Sequence, residues 1–220
     1  MLSHTNSPAF APCPAPFNLA AHVLRHADDT PDKVALAVLG LSGAERWSYA
    51  KLKAAVLGTG AGLLQAGLTP GDRVLMRLGN TVEFPIAYLG AIAVGLLPVP
   101  TSSQLTEREV AGIIATTTPG AILRDPAIAC PETDIPVITP DDLATMRTLP
   151  PAEYDMGDPD RMAYIIYTSG TSGTPRAVMH AHRAIWARQM MHDGWYGLRD
   201  TDRLCHAGAF NWTYTLAPAV

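Results

Sequence analysis

Short apolar runs of strand length recur along the chain, and helix-like stretches separate most of them. The runs are "VALAVLG" (34–40), "RVLMRL" (73–78), "LLPVP" (96–100), "AILR" (121–124), "PVIT" (136–139) and "AYIIY" (163–167). Each is bounded by turn residues and too short for an ordinary helix. Between them the periodicity turns helical. Residues 18–26 form a short helix. Ser48 caps a longer one running to about Ala66, with Tyr49, Leu52, Val56 and Leu63 on one face. Asn80 and Glu83 make a capping pair for the next, whose stripe is Phe84, Ala87, Tyr88, Ala91 and Ile92. Thr106 and Glu109 form a capping box ahead of Val110, Ile113 and Ile114. Strand alternating with helix specifies an α/β fold: layered, mostly parallel sheets covered by helices.

The chain has the material for such layers. Of its 220 residues 48% are hydrophobic and 16% charged, so it buries a sizeable core. Net charge is −4 and no basic stripe appears, which excludes an ordinary nucleic-acid binder. Cys13, Cys130 and Cys205 are far apart and odd in number, which points to free thiols in a reducing compartment. No stretch has the length of a membrane span, and the cytoplasm is the default location. Residues 1–16, rich in Pro and Ala, read as a flexible leader. Gly58, Gly60 and Gly62 are not a dinucleotide motif: the spacing is wrong and no strand precedes them, so they mark close helix packing. The polar, Pro-rich segment 149–161 reads as a surface connection.

"AYIIY" is apolar at every position, the mark of a strand buried on both faces. Directly after it come Thr168, Ser169, Gly170, Thr171, Ser172, Gly173, Thr174, Pro175 and Arg176. The two glycines let backbone N–H groups converge into an anion-binding nest. The five hydroxyls add hydrogen-bond donors, and Arg176 adds a permanent charge on a planar fork that suits phosphate. A loop beyond the carboxyl end of a buried strand is where α/β proteins bind ligands. It is not a Walker A loop, because GxxxxGK[ST] fits nowhere in the chain. "AVMHAH" alternates like a second strand, and a helical pattern resumes only after His182.

The segment "YTSGTSGTPRAVMHAHR" resembles the signature phosphate loop of the adenylate-forming enzymes: acyl-CoA synthetases, luciferases and the adenylation domains of peptide synthetases. "GDRV", "EFPIAYLGAIAVGLLPVP" and "LTEREVAGIIATTTPGAIL" resemble earlier parts of the same family, so the likeness runs from about Phe17 to the end. Two positions depart from the family pattern: lysine is usual where Arg176 stands, and glycine where Ala177 stands.

The resemblance implies a carboxylate attacking the α-phosphorus of Mg2+-bound ATP, giving an acyl-adenylate and pyrophosphate, and then coenzyme A forming a thioester. It implies that Thr168, Ser169, Gly170, Thr171, Ser172, Gly173, Thr174 and Arg176 hold the β- and γ-phosphates, with Arg176 as the catalytic group steadying pyrophosphate. It places Phe210, Asn211 and Trp212, with Tyr214, at the acyl pocket for a small carboxylic acid; core packing is an equal reading of those aromatics. Family members are far longer, so residues 17–220 are expected to be the N-terminal part of the AMP-binding domain, inactive alone. Three readings stay open: an acyl- or aryl-CoA ligase, an enzyme loading an amino or aryl acid onto a carrier protein, and a nonenzymatic nucleotide-binding fragment. His180 and His182 form HxH, but no third ligand stands near, and a structural or surface role is expected for both.

Overall fold

In the computed structural model, which describes residues 11–168, 175–199, 201–205 and 208–211, the alternating runs become one parallel sheet and two antiparallel hairpins. Helix α1 (Leu19–Val23) begins at Asn18, whose Oδ1 accepts from the amides of Ala20 and Ala21. Strands β1 (Val34–Gly40) and β2 (Gly43–Ser48) pair antiparallel at the periphery, where Leu39 and Leu41 stay exposed. Ser48 caps α2 (Tyr49–Gln65) by accepting from the Lys51 amide. Then follow β3 (Arg73–Arg77), α3 (Glu83–Ala93), β4 (Leu97–Pro100), α4 (Glu107–Thr117), β5 (Ala121–Arg124), β6 (Val137–Ile138) and α5 (Pro140–Met146). The sheet order is β4-β3-β5-β6, all parallel; α3 and α4 make the crossovers from β3 to β4 and from β4 to β5, and a helix-free connection over 125–136 joins β5 to β6.

Side chains alternate across this sheet and feed a core on each face. Val74 and Met76 of β3 and Leu123 of β5 join the cluster beneath α2 and α3, while Leu75 and Ile122 join the cluster beneath α4 with Val110 and Ile113. Both faces are covered, which is why the strands read as unbroken apolar runs. The Thr106–Glu109 box caps α4 as expected, and Thr139 and Asp142 make a second box at α5.

The glycines of α2 let backbones meet. A Cβ at Gly60 would lie 3.0 Å from the Gly90 carbonyl oxygen, and one at Gly90 would lie 2.8 Å from that of Val56. Helix α3 is wrapped more completely than its stripe suggests. Residues Phe84 and Ile86 through Ala93 are all buried, because α1, α2, α5 and β4 pack around it.

Two expectations need correction. No described side chain caps α3, and Asn80 is not its cap: Glu83 is the first helical residue and pairs with Arg147 at 3.3 Å. The connection over 149–161 is also more than a surface loop. Its Ala152 and Asp155 amides donate to the carbonyls of Leu57 and Ala93, and Arg161 donates to those of Phe17 and Asp155.

Strand β7 (Met162–Thr168) packs beside β4 without joining its ladder and pairs antiparallel with β8 (Arg176–Ala181). Helix α6 (Ala184–Met191) follows. Among the described residues no helix is long and apolar enough to cross a membrane.

Candidate functional site

The β7–β8 hairpin is buried at one end and open at the other. Ala163, Tyr164, Ile165 and Ile166 are buried, Tyr167 is half-buried, and Thr168 faces solvent. Strand β8 is exposed from Arg176 to Met179. Tyr164 and Ile166 enter the core beneath α3 while Ile165 enters the core beneath α4, so the run is gripped on both faces. Its register places Thr168 directly opposite Arg176, with Tyr167 opposite Ala177. A hydroxyl and a guanidinium therefore share the neck of the hairpin, and among the described residues no carboxylate pairs with Arg176. Ser169, Gly170, Thr171, Ser172, Gly173 and Thr174, which connect the two strands, lie outside the described residues, as do Trp212 and Tyr214.

Around the base of the hairpin the ring contacts are dense. His180 stacks on Tyr164 with centroids 4.6 Å apart, and Tyr164 meets Tyr88 of α3 edge-on at 5.7 Å. Burial, and then the charge of Arg188, lowers the His180 pKa. His182 lies just past β8, is 1% exposed, and accepts from the Leu19 amide through Nδ1 at 3.0 Å. That bond requires an unprotonated Nδ1. Burial, reinforced by Arg161, pushes the His182 pKa down to about 3. The two histidines thus lock β8 to β7 and to α1, which is the structural of the two roles, structural or surface, expected of them.

His182 makes stability depend on pH in a definite direction. The folded chain keeps the ring neutral, whereas the unfolded chain protonates it below about pH 6.5. Stability is therefore lost as pH falls through 6.5 toward 3. Between pH 6.5 and 5 the expected loss from this one group is roughly 2 kcal/mol, read by urea unfolding at each pH. His182→Asn, which keeps an acceptor near the Nδ1 position, should flatten that slope. An unchanged slope in the variant assigns the effect to other groups.

Phe210 sits against the first turn of α3. The Phe210 ring stacks on Phe84 with centroids 5.7 Å apart and planes 19° apart. Its amide donates to Asn80 Oδ1 at 3.0 Å, and Asn80 Nδ2 donates to the Gly208 carbonyl at 3.4 Å. Asn211 is half-buried. Phe84 and Tyr88 are one helical turn apart on one face of α3, so this helix touches both the 208–211 segment and the hairpin. Sequence reasoning read Asn80 only as a helix cap and missed its bonds to the 208–211 segment. The available signal was its place just beyond the carboxyl end of a parallel strand, where α/β proteins carry functional groups.

A parallel sheet covered on both faces, with a hairpin appended beside β4, defines a layered α/β protein. A family model described as AMP-binding enzyme matches residues 23–219, and the chain belongs to that family. It is 28% identical over 181 residues to the 3-hydroxybenzoate–CoA ligase of Aromatoleum sp. (strain CIB), covering 74% of this chain and 35% of the ligase. It is also 28% identical over 175 residues to surfactin synthase subunit 2 of Bacillus subtilis (strain 168), covering 76% of this chain and 5% of that protein. The fold matches a benzoate CoA ligase from Burkholderia xenovorans LB400 with a TM-score of 0.77 at 20% identity, covering 91% of this chain and 42% of that one. The chain thus spans about a third of the matched curated ligase and a small part of the synthase.

Proposed function

We propose that the open end of the β7–β8 hairpin binds the β- and γ-phosphates of ATP in an enzyme that activates a small carboxylic acid for transfer to coenzyme A. The observation that carries this reading is the pairing of Thr168 with Arg176 at the neck of a hairpin that is buried behind and solvent-facing in front. Ser169, Gly170, Thr171, Ser172, Gly173 and Thr174 complete the cradle from the loop between them. In the first half-reaction a carboxylate oxygen bonds to the α-phosphorus, the bond from that phosphorus to the bridging oxygen breaks, and pyrophosphate leaves. Arg176 offsets the charge that gathers on the departing group. In the second, the thiol sulfur attacks the acyl carbon, AMP departs with the bonding pair, and the thiol proton passes to solvent. Phe210, Asn211 and Trp212 line the acid side. Mg2+, in this reading, would be carried by the phosphate oxygens of ATP and would help to offset their charge.

Residues 17–220 form one part of the AMP-binding domain in this account. The complete reaction belongs to a polypeptide of the ligases' length, and phosphate binding to these residues. The 220-residue chain is therefore expected to bind ATP and to show no ATP–pyrophosphate exchange with any acid. Robust exchange by the chain alone would contradict that division. In the longer polypeptide, AMP release that depends on both an aryl acid and coenzyme A is the expected result. Release that depends instead on a carrier protein supports a second reading, loading of an acid onto a carrier, which the equal identity to the surfactin synthase subunit favours.

A further inference from the structure

Asn80 makes an unusual use of its side chain. It stands between β3 and α3, yet it caps no helix. Both ends of its carboxamide go instead to a segment far along the chain: Oδ1 accepts from the Phe210 amide and Nδ2 donates to the Gly208 carbonyl. A carboxamide used this way imitates a strand partner, fixing the backbone at both ends of a three-residue step. The Phe210 ring is then laid on Phe84, itself 1% exposed and packed in the core. One turn on, Tyr88 meets Tyr164 of β7, the strand that ends at Thr168. The 208–211 segment and the hairpin are thus referenced to one rigid helix.

We propose that Asn80 and Phe84 form a seat that positions the 208–211 segment, and that Asn80 is a positioning residue for the acid substrate rather than for the nucleotide. This rests on the function proposed above. The side chain touches no reacting atom in this account. It acts through the Phe210 backbone, setting where Phe210 and Asn211 stand relative to the phosphate end of the hairpin. Its loss should leave the hairpin untouched, because neither of its bonds reaches β7 or β8.

Two measurements on Asn80→Ala and Asn80→Asp test this. In the 220-residue chain, the Phe210 amide should exchange with solvent about tenfold faster in Asn80→Ala, as expected for loss of one such hydrogen bond. Asn80→Asp keeps an acceptor for that amide and should stay close to wild type. In the longer polypeptide, with benzoate as the probe acid, Asn80→Ala should raise KM for the acid about tenfold while KM for ATP stays within about twofold. Unchanged exchange at Phe210 in Asn80→Ala overturns the seat, whatever the kinetics. Equal rises in both KM values overturn the positioning role, since general loosening would act on both substrates. Faster exchange at Phe210 in Asn80→Ala, together with a ligase-length polypeptide that activates no acid even with Asn80 intact, overturns the proposed reaction and the substrate role with it, leaving Asn80 as a structural clamp.

Discussion

Arg77→Ala is expected to lower the free energy of unfolding by roughly 3–5 kcal/mol, the largest loss from any single substitution considered for this chain. The residue is 0% exposed at the carboxyl end of β3. Burial lowers its pKa, yet it meets no described carboxylate. Its guanidinium is satisfied by dipoles. Nε and Nη2 donate to the Ala129 carbonyl at 3.1 and 2.6 Å, and Nη2 also donates to that of Leu105 at 3.3 Å. Nη1 donates to the Ser102 carbonyl and, at 3.2 Å, to Thr101 Oγ1. Thr101 in turn donates to the Met76 carbonyl at 2.7 Å. One side chain therefore ties β3, an interior strand, to the turns after β4 and β5 at the carboxyl end of the sheet. Alanine leaves a cavity and several buried acceptors without donors. Arg77→Met fills most of the volume and should recover part of the loss. Arg77→Lys keeps the charge but not the fork, and should fall between them. Urea unfolding followed through far-ultraviolet circular dichroism orders the three. A loss below about 1 kcal/mol for Arg77→Ala would mean that water replaces the guanidinium at little cost.

The second large effect concerns binding. Arg176→Ala is expected to weaken ATP binding by about 10- to 100-fold, the scale of one or two charge-assisted hydrogen bonds. AMP lacks the phosphates assigned to this residue and should bind equally well to both proteins. Arg176→Lys keeps a positive charge at the neck of the hairpin and should retain most of the affinity, because a hairpin end open to solvent leaves room for either cation. Calorimetric titration with ATP, pyrophosphate and AMP separates the cases. Equal loss for AMP and ATP would point to a damaged hairpin, and no loss for either would remove Arg176 from the phosphate site.

Much of the fold is written in local patterns. The Thr106–Glu109 box, the Ser48 cap and the six apolar runs each depend on neighbours within a few residues, so the chain displays them directly. What escaped depends on distant partners. Asn80 and Glu83 have the spacing of a cap, but the bonding partners of Asn80 lie 128 and 130 residues on, and those win. The α3 stripe understates burial because three other helices and a strand close over its remaining sides. The burial of Arg77 leaves no trace in the sequence, since its acceptors are mostly backbone carbonyls that every residue carries. Within the candidate site, the second strand after the hydroxyl-rich loop was legible from its alternation, and the pairing of Thr168 with Arg176 follows once both strands exist. The placement of Phe210 against Phe84 was not, because an aromatic near a strand end packs in a core as readily as it lines a pocket.

The central claim is that the end of the β7–β8 hairpin holds the polyphosphate of ATP. Amide chemical shifts of the chain, recorded during titration with ATP and separately with AMP, test it most directly. The account predicts that ATP moves the amides of Thr168, Gly170, Gly173 and Arg176 well beyond all others, that pyrophosphate reproduces those shifts, and that AMP leaves them in place. Shifts spread elsewhere with the hairpin amides unmoved, or the same hairpin response to AMP as to ATP, would contradict it.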